Sequence, residues 1–516
     1  MSNTASTSKM ISLVPTNGTE FQVEQGQKVI FELPPNLGLV KGRDSHLIMD
    51  VVNNSGDSRR LALEGTAGAD ALISRVDIYS LRNGTHLETL VNYNQWVSMA
   101  NQYLYEDKTN LQSLTGCGSQ VYVNSFSASE GNIVPTTAVA NSVEDTILSP
   151  INGTTGAPAY NFRRFTTPLK AGLLRWWDSE RLCPVLAFGG LRIEITLENP
   201  KIALHSINAI DATSTEKDIS FDGGGLEIAD GQAGANILTT NDITVENCGF
   251  SVGNLVKIRS AEGLDSTDNV ITAITDNGGK VQFTISGTPV PATQTGINIR
   301  LRTDDRKARV RPQFRVLSVA PPQEMISKVA SGFEYEFTTY DYLTSSLLSS
   351  ALRHQVEVNS VATKALCIMS SFTDLAGLER GGTSSYFVSA TPEQSNLNSV
   401  QYFLNNRLQP VRAYNPRLKN EKVVAMNELS KAFSSISYEA LDLGNADGKN
   451  LEFYTNTFAI ARQLAKRPYY FDLKMAEGQI RLGFSGTRTE NHTINNYVWS
   501  KKVVVVSGDG NVEVVL

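Results

Sequence analysis

Apolar and polar residues alternate with a period of two through much of the chain. Phe21-Gln22-Val23-Glu24 alternates, and Leu191-Arg192-Ile193-Glu194-Ile195-Thr196-Leu197 does so over a longer run. His354 to Val361, Val281 to Ile285 and Val512 to Val515 are further alternating or β-branched stretches. Alternation gives a pleated strand one apolar face, so each run predicts a half-buried strand. Asn83-Gly84, Asp222-Gly223, Asn277-Gly278 and Gly508-Asp509-Gly510 punctuate the chain with turn residues. Many short strands between such turns predict an all-β chain of sandwiches or barrels. Helical spacing is scarce. Gln95 to Asp107 carries Trp96, Met99 and Tyr103 on one stripe, and Ala171 to Leu182 groups Leu173, Leu174 and Trp177. Ala425 to Phe433 and Phe458 to Lys466 predict two shorter helices, and each stripe is expected to pack on a sheet.

The texture changes between residues 213 and 303, which are rich in Gly, Asp, Asn and Thr. Phe221, Phe250 and Phe283 are the aromatic residues of that stretch. Val252 to Ile258, Val270 to Ile274, an Asn277-Gly278-Gly279 turn and Val281 to Ile285 read as strand, strand, turn, strand. That string predicts an inserted SH3-like β-rich module with its own small core. The flanking segments, 1–212 and 304–516, share a weak repeat. Ser74 to Leu81 reaches Asn83-Gly84 and returns through Leu87 to Asn92-Tyr93-Asn94. Ser399 to Leu404 reaches Asn405-Asn406 and returns through Leu408 to Ala413-Tyr414-Asn415. A helix candidate follows each hairpin, and Asn tolerates the left-handed backbone of a tight turn. The repeat points to a duplicated domain.

Composition narrows the class. The chain has 516 residues, 41% hydrophobic and 19% charged, which is neither disordered nor fibrous. Lys plus Arg number 46 against 52 Asp plus Glu, a net charge of −6, which argues against a protein that coats nucleic acid. No apolar run approaches the length of a membrane span, so no stable membrane insertion is expected. The polar segment Met1 to Met10 does not read as a secretory signal. Cys117, Cys183, Cys248 and Cys367 lie far apart and read as buried reduced thiols. The sequons at Asn17, Asn53, Asn83, Asn152 and Asn491 read as chance in a chain rich in Asn, Ser and Thr.

Phe165 to Asn199 carries the most information. A strand ends at Thr167-Pro168-Leu169, and a short helix bears Trp176 and Trp177. Leu182-Cys183-Pro184-Val185-Leu186-Ala187 then leads into the Arg192-Ile193-Glu194-Ile195 strand. Pro184 stops the helix, because it lacks an amide proton. This stretch resembles the end of the first jelly roll in double jelly-roll major capsid proteins, the lineage of adenovirus hexons, virophages, polinton-like viruses and many large DNA viruses. Gly189-Gly190 departs from the pattern, where members often carry a bulky polar residue. The resemblance implies two side-by-side eight-stranded jelly rolls, at 1–212 with an arm at about 1–10 and at 304–516, and an outward tower at 213–303. It implies a structural subunit of the virion rather than an enzyme, forming a homotrimer of pseudo-hexagonal outline that tiles an icosahedral capsid. Neighbouring capsomers, penton and minor or cement capsid proteins would be its partners.

Candidate chemistry is thin. His46, His86, His205, His354 and His492 show no metal-binding spacing. No nucleophile elbow, Walker loop or dinucleotide fingerprint stands in a supporting context. Asp304-Asp305 is a carboxylate pair whose geometry the sequence does not give. No catalytic, cofactor-binding or metal residue is therefore nominated. Arg300, Arg302, Arg306, Lys307, Arg309 and Arg311 form the one basic cluster. It reads either as a weak genome contact or, preferably, as a linker strand diluted by the two aspartates. Met1 to Lys9 is expected to be a flexible arm, and Val503 to Val506 with Val512 to Leu516 a closing hairpin. The alternatives are a β-modular adhesin or tail-fibre-like glycan-binding protein, and a β-sandwich glycan hydrolase.

Overall fold

The computed structural model describes residues 8–54, 61–64, 67–104, 123–126, 133–136, 148, 162–177, 181–206, 227–228, 237–239, 255–259, 265–277, 280–286, 298–301, 306–374, 387, 389, 392, 395–436, 458–465, 470–474, 478–488 and 491–515. Its first sandwich is made of β1 (Ser8–Leu13), β2 (Lys28–Leu33), β3 (His46–Asn53), β4 (Ile73–Ser80), β5 (His86–Val91), β6 (Phe162–Pro168), β7 (Leu191–Leu197) and β8 (Ala308–Val319). The two sheets run β1-β8-β3-β6 and β2-β7-β4-β5, with every neighbour antiparallel. The second is made of β9 (Phe333–Leu347), β10 (Arg353–Glu357), β11 (Ala365–Asp374), β12 (Leu397–Leu404), β13 (Arg407–Tyr414), β14 (Ala459–Gln463), β15 (Gly478–Phe484) and β16 (His492–Val506). Its sheets run β9-β16-β11-β14 and β10-β15-β12-β13. The two orders are one pattern used twice: first strand beside last, second beside seventh, fourth beside fifth. Both sandwiches are jelly rolls, and the repeat read from sequence is their shared fourth-to-fifth hairpin.

Local chemistry accounts for these elements. In β7 the apolar Leu191, Ile193, Ile195 and Leu197 are buried, facing the core of the first roll. Asn405 and Asn406 turn the β12–β13 hairpin with φ of 48° and 59°, a conformation that Asn tolerates better than most residues. The helix predicted from Gln95 is α1 (Tyr93–Leu104), with Trp96, Val97 and Ala100 buried. The one predicted from Ala425 is longer, α3 (Lys419–Ile436). The predicted C-terminal hairpin is present, Val503 to Val506 of β16 pairing with β17 (Val512–Val515).

Several expectations are corrected. β8 lies beyond residue 304 yet completes the first sandwich, so the second roll begins after it. Ser8 and Lys9, expected within the flexible arm Met1 to Lys9, begin β1 and pair with Val319 and Ser318. Residues 171–177 are turns rather than a helix, because Arg175 takes φ of 63° and breaks the spiral. Phe458 to Lys466 contributes strand β14, since Ala459, Ile460 and Ala461 are covered by α3 and the sheet together. Helix α2 (Gln323–Ser331) was not predicted: its short stripe of Met325, Ile326 and Val329 is only partly covered, with no residue buried.

Within the insertion, Glu227–Ile228, Ile237–Thr239, Lys280–Ser286, Asp265–Asn277, Leu255–Arg259 and Asn298–Leu301 form one antiparallel sheet in that order. The three strands expected there are present, and Phe283 is buried. Among the described residues no helix is long and apolar enough to cross a membrane.

Candidate assembly site: the junction between the two rolls

The two rolls meet at an apolar joint. The helix α1 follows β5 and brings Trp96 from the first roll against the aromatic residues of β9 and β16. Trp96 lies 4.7 Å from Trp499, 5.5 Å from Tyr497 and 5.9 Å from Tyr340, ring centre to ring centre. Trp177, from the turns after β6, meets Trp499 edge-on at 5.0 Å. Phe433 of α3 adds a ring 5.9 Å from Trp96. Trp96, Tyr340, Tyr497 and Trp499 are all 1% exposed or less, so the junction is as dry as a core. Tilted and edge-on packing of such rings adds to the gain from burying their area.

Polar contacts fix the register of this apolar joint. The Tyr340 hydroxyl donates to the Val91 carbonyl at 3.0 Å, and Asn92 donates to the Tyr342 hydroxyl at 2.7 Å. The Tyr335 hydroxyl donates to the Leu173 carbonyl at 2.7 Å, with the Arg175 guanidinium 4.3 Å from its ring centre. Glu88, buried on β5, accepts the amides of Gly172 at 3.0 Å and Leu173 at 2.9 Å. A side chain on residue 172 would collide with the Thr338 carbonyl of β9, so only Gly lets this turn approach the second roll. At the far end the β4–β5 turn holds the C-terminal hairpin: Asn83 and Thr85 both donate to the Val512 carbonyl, at 2.9 and 3.0 Å.

Beneath the joint lies a buried ion pair. Lys170 Nζ is 2.8 Å from Asp70 Oδ2, with the side chains 2% and 1% exposed. Thr167 donates to the same oxygen at 2.8 Å, and the Tyr93 hydroxyl donates to Oδ1 at 3.1 Å. Full hydrogen bonding is what makes such a pair tolerable away from water. The network ties β6 and α1 to the turn before β4.

The basic cluster belongs to the first roll. Arg306 is 2% exposed and donates to the Leu204 carbonyl at 2.5 Å. Arg309 and Arg311 each meet Glu20 at 3.0 Å, and Arg309 also donates to Asn54 at 2.8 Å. Glu20 is held below its ordinary pKa by the hydrogen bond to Arg309, against a smaller desolvation, and by Arg311. Glu20 thus offsets part of the cluster's charge, on a strand that belongs to the first roll's sheet. The side chains of Arg300 and Arg302, and Asp304-Asp305, lie outside the described residues.

Cys183 and Cys367 are free and buried, which pushes both thiols up to about 12, while Cys117 and Cys248 lie outside the described residues. Asn17 donates to Lys28, Asn83 to Val512, and Asn491 accepts from Ser349, so these sequon asparagines serve turns and strand ends. His46 and His354 are partly buried, and desolvation lowers both. No three His, Cys, Asp or Glu side chains converge among the described residues. A gap between α1 and β11, lined by Gln95, Met99, Ser371 and Phe387, holds about 10 Å³, room for about one water. Sequence reasoning missed Tyr340, Tyr497 and Trp499: period two places them on one face but does not say that a second domain covers it.

At the level of sequence the chain matches no family model and no curated protein. Solved structures do match. PBCV-1 VP54, fitted into a cryo-EM reconstruction of the virophage Sputnik, is 12% identical with a TM-score of 0.50, over 100% of this chain and 98% of that one. The Faustovirus major capsid protein is 11% identical with a TM-score of 0.50, over 97% of this chain and 90% of that one. The chain therefore has the double jelly-roll fold.

Proposed function

We propose that this chain is the major capsid subunit of an icosahedral DNA virus, a structural protein that assembles as a homotrimer and tiles the virion shell. The observation that carries the reading is one strand order used twice, with the two rolls welded by the Trp96–Trp499 junction into a single block. Full-length likeness to the Faustovirus major capsid protein supports it. Two pseudo-equivalent rolls per chain make three chains a six-roll ring, and a closed ring suits a shell better than a lone block does. The first roll takes in residues up to about 212 together with β8, the second roll follows, and the sheet at 213–303 is the outward tower. Neighbouring capsomers, a penton and minor or cement proteins are the partners of such a tile. Light scattering on the purified chain tests the reading. A species near three times 56.2 kDa is expected, and a strict monomer at micromolar concentration would count against it.

A further inference from the structure

Each roll has one edge strand followed by a helix: β5 with α1, and β13 with α3. In the first roll this edge is covered. Leu87 and Leu90 of β5 are 3% and 1% exposed, and the strand lies against β9 and β17 of the second roll. In the second roll the matching edge is bare. Val411 of β13 is 89% exposed, Leu408 of the same strand is exposed too, and Leu418, Val423 and Val424 at the start of α3 continue the apolar ridge.

The partner surface has a matching asymmetry. What covers β5 is β9, the outermost strand of its sheet and the first strand of its roll. Its counterpart is β1, outermost in the equivalent sheet, where Met10 and the following Val14 are exposed. The internal interface thus joins two different patches, and each patch has an exposed equivalent on the other roll. An interface between unlike patches repeats head to tail, closing into a ring or growing into a filament.

We infer that the β13–α3 ridge of one chain packs on β1 of a second copy, Leu408 and Val411 against Met10 and Val14. This rests on the capsomer reading and names the surface that reading requires. Pro410 removes an amide from β13, so the contact is made by side chains and not by adding a strand to the sheet. Arg407 and Arg412 flank Val411 and stay at the rim, as charged residues do around an apolar interface centre.

The test compares the full-length wild type with Leu408→Asp/Val411→Asp and with Met10→Asp/Val14→Asp, by light scattering at micromolar concentration. The four side chains are exposed, so the variants are expected to keep the wild-type far-ultraviolet spectrum and melting temperature. The wild type is expected as a trimer and both variants as monomers. Oxidation of Val411→Cys/Met10→Cys is expected to give ladders of two and three chains on a non-reducing gel. Trimers from both aspartate variants would overturn the assignment of this surface while leaving the capsomer reading intact. A monomeric wild type would overturn both.

Discussion

Lys170 and Asp70 show how far single residues hold the block together. Removing one member of a buried pair strands the other charge, at a cost of about 3–5 kcal/mol. Lys170→Met is therefore expected to lower the urea midpoint sharply, and a midpoint within error of wild type would mean that the pair is idle. Glu88 gives a prediction with a sign. Burial raises its carboxyl above the ordinary value, although the Leu173 and Gly172 amides favour the charged form. The folded chain thus binds this proton more readily than the unfolded chain. Its contribution to stability is complete below the ordinary carboxylate value of about 4.3. It is lost as pH rises through the folded value. Measured as wild type minus Glu88→Gln, the difference in urea midpoint should shrink as pH rises from about 4.3 towards neutral. A difference that grows over that range would contradict the assignment.

At the scale of elements, α1 is the tie between rolls. Trp96→Ala empties the centre of the junction, and a large-to-small change at such a site costs about 3–5 kcal/mol. The expected readout is a lower melting temperature with loss of the near-ultraviolet signal of the packed tryptophans, while far-ultraviolet strand content is kept. An unchanged near-ultraviolet spectrum would show that the rings do not pack as described. Elements differ in how plainly the sequence announces them. β7 was legible because one face meets the core and the other does not, which is the condition for clean alternation. β14 was not: Ala459, Ile460 and Ala461 are buried on both faces, and an unbroken apolar run looks the same in a strand or a helix. The turns at 171–177 misled for another reason. Leu173, Leu174 and Trp177 are buried as a helical stripe would be, but the backbone reverses at Arg175 to reach the second roll. β8 was assigned to the wrong roll because its partners, β1 and β3, lie across the whole insertion in sequence. Local pattern carries no record of such distant pairing.

At the scale of the whole molecule the fold was legible through two local signatures, the Phe165–Asn199 stretch and the repeated Asn-turned hairpin. The junction was not, because its rings come from five elements and only Trp96, Trp177 and Phe433 stood in stripes that the sequence marked. One interface is satisfied within the chain, and the equivalent elements β13–α3 and β1 carry exposed apolar residues. On the proposed reading, a block of that kind acts through the ring it closes. The most direct measurement is a negative-stain image of the purified full-length chain. The account predicts three-fold particles with a nearly hexagonal outline, six rolls around one centre. Isolated two-lobed particles at micromolar concentration, or two-fold dimers, would contradict it.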